Sequence, residues 1–157
     1  MDIQAKITQI LHNFTEKNLT IALAESCTGG YISHVITNIS GASKVFERGV
    51  VTYSNQSKVD ILQVDPDTLK QHGAVSEPVA RQMADNLRMI ANVDISISTT
   101  GIAGPTGATP EKPLGLVYIG FSTEKETKVK KFVFKTDRIS HKEMVLKEIV
   151  LYLDSLI

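Results

Sequence analysis

A short apolar run, Leu19-Thr20-Ile21-Ala22-Leu23, passes directly into Ala24-Glu25-Ser26-Cys27-Thr28-Gly29-Gly30, and apolar residues at helical spacing follow at Tyr31, Val35, Ile36 and Ile39. A strand that ends in a turn and feeds a helix is the opening of an α/β unit, so this stretch constrains the fold more than any other. The turn carries hydroxyls, one thiol and two glycines. It gathers side-chain nucleophiles and the unpaired N–H groups of a helix N-terminus at one point. It is the first place to look for chemistry.

The rest of the chain extends the same pattern. Ile3, Ile7, Ile10, Leu11 and Phe14 predict an opening amphipathic helix, Thr20 to Ala24 a buried strand, and Thr28 to Asn38 a helix broken before Gly41. A second strand, Gly49 to Tyr53, is expected within Phe46 to Tyr53. Asn55 to Leu62 reads as a short helix carrying Lys58, and Asp65-Pro66-Asp67 starts another that ends near Gly73. Ser76-Glu77-Pro78 combines a capping hydroxyl, an early acid and a first-turn proline, and predicts a helix to about Ala91. Ile95 to Thr100 alternates like a strand and enters a glycine-rich loop, Gly101-Ile102-Ala103-Gly104-Pro105-Thr106-Gly107, prolonged by Pro110 and Pro113. Leu114 to Ser122 and Lys128 to Lys135 pair as a hairpin through Thr123 to Thr127, and a helix from about Ile139 to Leu156 closes the chain. Alternating helices and strands followed by a strand pair predict one α/β domain over residues 1–157. Its expected architecture is a three-layer α/β/α sandwich with a mixed β-sheet. There is no internal repeat, linker or low-complexity segment.

Composition narrows the partners. Seventeen basic residues balance seventeen acidic ones, which argues against nucleic acid or an anionic membrane as the main partner. The five lysines between Lys125 and Lys135 alternate with Val129, Phe132 and Phe134, as on a solvated strand face. Cys27 is the single cysteine, so an intrachain disulfide is impossible and a reducing cytoplasm fits. Met1 to Asn13 lacks the pattern of a signal peptide, and no apolar run approaches the ~20 residues of a membrane span. The four histidines are scattered without metal-ligand spacing, so a metal-free mechanism without a cofactor is expected.

Three places carry candidate chemistry. Ser26, at a strand-to-helix turn, is placed like an exposed nucleophile with the amides near Cys27 and Thr28 as oxyanion donors; equally, Ser26 or Thr28 caps the helix. Cys27 is the rival nucleophile, favoured by a helix N-terminus, or a small apolar residue packed between strand and helix. Tyr53 is expected at a strand end, and Lys58 lies one turn into the helix that follows. It is either a surface lysine or a partly desolvated base for a Ser–Lys pair. The Thr100 to Gly107 loop follows a strand and belongs at the same sheet edge, where ligands of α/β sheets bind. It is neither a P-loop nor a GxGxxG fingerprint.

Taken together, Ala24-Glu25-Ser26-Cys27-Thr28-Gly29-Gly30, Phe46-Glu47-Arg48-Gly49-Val50-Val51-Thr52-Tyr53-Ser54-Asn55 with Lys58, Gly73-Ala74-Val75-Ser76-Glu77, Thr100-Gly101-Ile102-Ala103-Gly104-Pro105 and Glu111-Lys112-Pro113-Leu114-Gly115 resemble the CinA C-terminal domain family. The resemblance covers nearly the whole chain, in its stand-alone form. It implies a nicotinamide-nucleotide amidase that hydrolyses the carboxamide of nicotinamide mononucleotide (NMN) to nicotinate mononucleotide and ammonia, in pyridine nucleotide recycling. It implies Ser26 as nucleophile, Lys58 as base, and Tyr53 orienting the lysine or the amide. The Thr28-Gly29-Gly30 turn would stabilise the oxyanion, and Ser76, Thr100, Gly101, Ala103, Gly104 and Arg138 would hold the nucleotide. The sequence departs from the family at Thr136-Asp137-Arg138, where glycine often precedes the Asp-Arg pair, with Lys142 in place of a second arginine, at Gln56 and at Ala108. The alternative is a non-catalytic nucleotide-binding or protein-interaction module of this fold, linked to competence or DNA damage as the family name suggests. A homodimer is expected because small enzymes are often symmetric dimers.

Overall fold

The computed structural model describes the whole chain, Met1–Ile157. The elements run α1 (Ile3–Glu16), β1 (Ile21–Glu25), α2 (Tyr31–Thr37), a 3₁₀ turn (Ala42–Lys44), β2 (Phe46–Val51), α3 (Asn55–Leu62), α4 (Pro66–His72), α5 (Glu77–Ala91), β3 (Ile95–Gly101), β4 (Leu116–Thr123), β5 (Thr127–Val133) and α6 (Arg138–Ser155). The sheet order is β2-β1-β3-β4-β5. β1 is parallel to both β2 and β3, whereas β4 is antiparallel to β3 and β5. This is the expected mixed sheet between two helical layers.

Side-chain alternation along the strands decides which helices cover which face. Ile21, Leu23, Ile95, Ile97, Ile119 and Phe121 face one way and build the larger core with Phe14 of α1, Ile32 and Ile36 of α2, and Ile149 and Leu153 of α6. Ala22 and Ala24 face the other way, against Leu62 of α3, Leu69 of α4, and Val79, Met83 and Leu87 of α5. Small residues on that second face bring α5 close to the sheet. Ser98 Oγ donates to the Ala80 carbonyl at 2.7 Å. A Cβ placed on Gly120 would lie 2.5 Å from Ser98 Oγ and 2.7 Å from Ala80 O. The hairpin is pinned to the same helix by Asp85, which accepts from the Ser122 hydroxyl at 2.7 Å and from the Thr127 hydroxyl.

Several boundaries differ from the sequence expectation. α2 begins at Tyr31 rather than Thr28, because Gly29 (φ +59°) and Gly30 (φ +98°) are left-handed and hold the turn open. β2 begins at Phe46 and stops at Val51, and Tyr53 lies beyond it; the Thr52 amide instead donates to the Glu25 carbonyl at 2.9 Å. Ser76 sits at the N-cap of α5 without capping it. Its hydroxyl donates backwards to the Gly73 carbonyl at 2.8 Å. The other helix starts behave as their residues predict. Asp2, Ser54, Asp65 and Asp137 each accept an amide of the first turn. No helix is long and apolar enough to cross a membrane.

Candidate active site

β2, β1 and β3 run parallel, so their carboxyl ends meet at one sheet edge. Ser26 follows β1 at that edge, and Thr100 and Gly101 close β3 there. The chain leaving β2 turns through Thr52 and Tyr53 into α3, started by the Ser54 cap. One turn into α3, Lys58 points back beneath the end of β1. Its ammonium nitrogen lies 2.9 Å from Ser26 Oγ, 2.7 Å from the Thr52 carbonyl and 3.2 Å from the Tyr53 carbonyl. Lys58 is 1% exposed and Ser26 8%. Burial pushes the Lys58 amine down from 10.5 to about 8, because the charged form loses its water.

The three partners of Lys58 are chemically unequal. Carbonyl oxygens only accept, whereas the Ser26 hydroxyl both donates and accepts. The neutral amine has two N–H bonds and one lone pair. Both N–H bonds are claimed by Thr52 O and Tyr53 O, which leaves the lone pair facing Ser26. Loss of one proton therefore converts Lys58 from a donor to Ser26 into an acceptor from it, with no movement of either residue.

The neighbouring thiol has the opposite character. Burial pushes Cys27 up to about 12, against the opposing pull of the Thr99 hydroxyl. Of the two adjacent nucleophile candidates, only Ser26 has an amine within hydrogen-bond reach.

Above the pair opens a cleft of about 200 Å³. Ser26, Cys27, Tyr53, Lys58, Ala74, Val75 and Arg138 line it. Residues Thr100 to Ala103, with Thr106 and Gly107, complete the lining. Arg138 opens α6 and is the one cation besides Lys58 in this lining. Thus Ser26, Lys58, Tyr53, Thr100, Gly101, Ala103 and Arg138 are brought together as the sequence suggests.

The remaining candidates lie elsewhere. Thr28 is fully buried, with its hydroxyl committed to Glu25 at 2.6 Å and Thr99 at 2.9 Å. The Gly29 amide already donates to the Ser26 carbonyl at 3.1 Å, so it is not free for an oxyanion. Gly30 packs against Val51, and Gly104 against Leu114. Ser76 is held by Gly73. The turn amides that donate to no protein group are those of Cys27 and Thr28, together with Gly30. Tyr53 touches Lys58 through its backbone carbonyl, while the residue as a whole is 61% exposed. No three His, Cys, Asp or Glu side chains converge anywhere in the chain.

Sequence reasoning missed the role of Glu25. This carboxylate is wholly buried and accepts from Ile32 N, Ser33 N and Ser33 Oγ as well as from Thr28, tying the end of β1 to the start of α2. An acid closing an apolar strand and followed by two glycines was the available signal, since such a residue must find donors locally.

The family model for the CinA C-terminal domain matches residues 3–157. A protein of Thermoanaerobacter sp. (strain X514), named for competence-damage induction, is 53% identical over 136 residues, covering 86% of this chain and 33% of that protein. A CinA-like protein of Syntrophotalea carbinolica is 52% identical over 124 residues, 79% of this chain and 30% of its own. The chain thus spans about a third of the length of the curated relatives it matches. Among solved structures, the competence/damage inducible protein CihA from Agrobacterium tumefaciens superposes with a TM-score of 0.95 at 35% identity, covering 99% of this chain and 96% of that one.

Proposed function

The chain belongs to the CinA C-terminal domain family, and from that premise we propose that it is an amidase that hydrolyses the carboxamide of NMN to nicotinate mononucleotide and ammonia. The observation that carries the proposal is the 2.9 Å contact between Lys58 Nζ and Ser26 Oγ, with two backbone carbonyls taking the lysine's other hydrogens. A serine needs a base to become a nucleophile, and this is the base within reach.

The neutral Lys58 amine takes the proton of Ser26 as Oγ attacks the carboxamide carbon. The C=O electrons move to oxygen, and the oxyanion is received by the amides of the Cys27–Thr28 turn. The ammonium of Lys58 then returns the proton to the departing nitrogen. The C–N bond breaks, ammonia leaves and Ser26 carries the acyl group. Water, activated by the same amine, cleaves that ester and restores the serine. Arg138, with the backbone of Thr106 and Gly107, lines the same cleft and supplies positive charge and N–H donors suited to the phosphate. The hydroxyl of Thr100 donates to Ala74 O at 2.8 Å and so shapes the wall rather than gripping ligand.

Purified protein is expected to release ammonia from NMN, and Ser26→Ala to abolish that release while circular dichroism and Tm stay unchanged. Absence of release at millimolar NMN would favour a non-catalytic nucleotide-binding module of the same fold.

A further inference from the structure

Two segments far apart in sequence contribute to the cleft. Ala74 and Val75 follow α4, and Thr106 and Gly107 belong to the loop between β3 and β4. The root of that loop is well held. The Ile102 amide donates to the Leu116 carbonyl and the Gly115 amide to the Ile102 carbonyl, each at 2.8 Å. The stretch beyond the root has little to hold it. Residues 105–111 are all exposed, and Gly104 (φ +81°) and Gly107 (φ +99°) are left-handed. A stretch that buries so little side chain opens at low cost unless something ties it down. Its tip closes only on itself. The Thr109 amide donates to the Lys112 carbonyl at 3.0 Å, and the Lys112 amide to Thr109 O at 3.2 Å and Oγ1 at 3.1 Å.

Apart from the Pro113 carbonyl, which takes the Leu116 amide at the root, residues 103–113 reach the rest of the chain through a single hydrogen bond. Lys112 Nζ donates at 2.6 Å to the carbonyl of His72, the last residue of α4. A lysine suits the final carbonyls of a helix, which have no partner within it. Gly73 leaves room for the ammonium, since a Cβ there would lie 2.8 Å from Lys112 Nζ. The segment that follows is fixed independently. Ser76 Oγ donates to the Gly73 carbonyl and Thr100 Oγ1 to the Ala74 carbonyl, both at 2.8 Å. Lys112 thus ties an otherwise loose loop to a firmly held one.

We propose that Lys112 is a positioning residue whose bond to the His72 carbonyl latches the loop carrying Thr106 and Gly107 onto the segment carrying Ala74 and Val75, and so sets the shape of the cleft that receives the nucleotide. Lys112 is outside the cleft lining and bonds to neither Ser26 nor Lys58, so it acts on binding and not on bond cleavage. Its kinetic effect rests on the amidase reading; the latch itself does not.

Lys112→Met keeps the stem and removes the donor, whereas Lys112→Arg keeps a cation that donates to a carbonyl. Lys112→Met is expected to raise KM for NMN about tenfold, the scale of one hydrogen bond to a charged group, with kcat within about twofold of the parent. Lys112→Arg should keep the parental KM. Loop opening is read separately, as the rate at which proteinase K cuts the folded protein within residues 104–112, located by fragment mass. That rate should rise about tenfold in Lys112→Met and stay parental in Lys112→Arg. A parental KM and cutting rate in Lys112→Met overturn the inference. So does a raised KM without faster cutting, which would mean that the cation acts on the anionic nucleotide through its field alone. The cutting assay needs no turnover. If the parent fails to hydrolyse NMN while Lys112→Met alone is cut faster, the amidase reading falls and the latch stands.

Discussion

Moving the pH from 7 to 9 titrates the base that the proposed mechanism requires. The burial of Lys58 brings its amine to about 8. At pH 7 about one lysine in eleven is then neutral, and at pH 9 about ten in eleven, from the one-site titration equation. Because only the neutral amine accepts the Ser26 proton, kcat/KM for NMN should rise about tenfold across that interval, with a midpoint near 8 and a plateau above it. A lysine at its ordinary 10.5 would give a profile still climbing about eightfold per pH unit at pH 9.5, without a plateau below pH 10. Ammonia release, followed from pH 6 to 10 against enzyme-free blanks, separates the two shapes. Lys58→Arg tests the same point by chemistry. A guanidinium keeps the charge and never yields a lone pair, so a loss of about 10²–10⁴-fold is expected at every pH. A flat profile between pH 7 and 9, or a Lys58→Arg variant of parental activity, would refute Lys58 as the base.

Three other expectations use different parts of the molecule. Arg138→Ala should raise KM for NMN with little change in kcat, since the residue lines the cleft and is hydrogen-bonded to neither Ser26 nor Lys58; a selective fall in kcat would place it in the chemistry instead. Gly120→Ala should lower stability by about 1–3 kcal/mol, read from urea midpoints, because the added Cβ meets Ser98 Oγ and the Ala80 carbonyl and forces α5 off the sheet. His141 is fully buried with both ring nitrogens unpartnered, and burial together with the Arg138 charge holds its ionisation below the ordinary 6.5. The unfolded chain therefore binds the proton first as pH falls below about 6.5, and stability declines there. The decline in Tm between pH 7 and 5 should be smaller in His141→Leu.

The order of elements was legible because it follows from local periodicity and turn chemistry. Leu19 to Leu23 is too short for a helix and ends in a turn, Asp65-Pro66 starts a helix by capping and a fixed φ, and the alternation at Ile95 to Thr100 has period two. Those are properties of neighbours along the chain. The three-layer reading followed, since alternating units of this kind have few ways to bury their apolar faces. Ser26 was legible as a candidate for the same reason, at the junction of a strand and two glycines.

Polar roles that depend on a distant partner were not legible. The family motifs offer hydroxyls at Ser26, Thr28 and Ser76, yet one faces the cleft, one is locked between Glu25 and Thr99, and one turns back onto Gly73. A short hydroxyl side chain has several acceptors within reach, and the choice among them is made by what the packed sheet brings near. Lys58 shows this most clearly. Its residue type and helix could be read along the chain, but its meeting with Ser26 spans 32 positions, and its lowered ionisation comes from burial in the folded chain. Local sequence dictated where strands, turns and helices fall, because those are short-range energies. Packing alone selected which buried donors and acceptors pair, and so which of two adjacent nucleophile candidates meets the Lys58 amine.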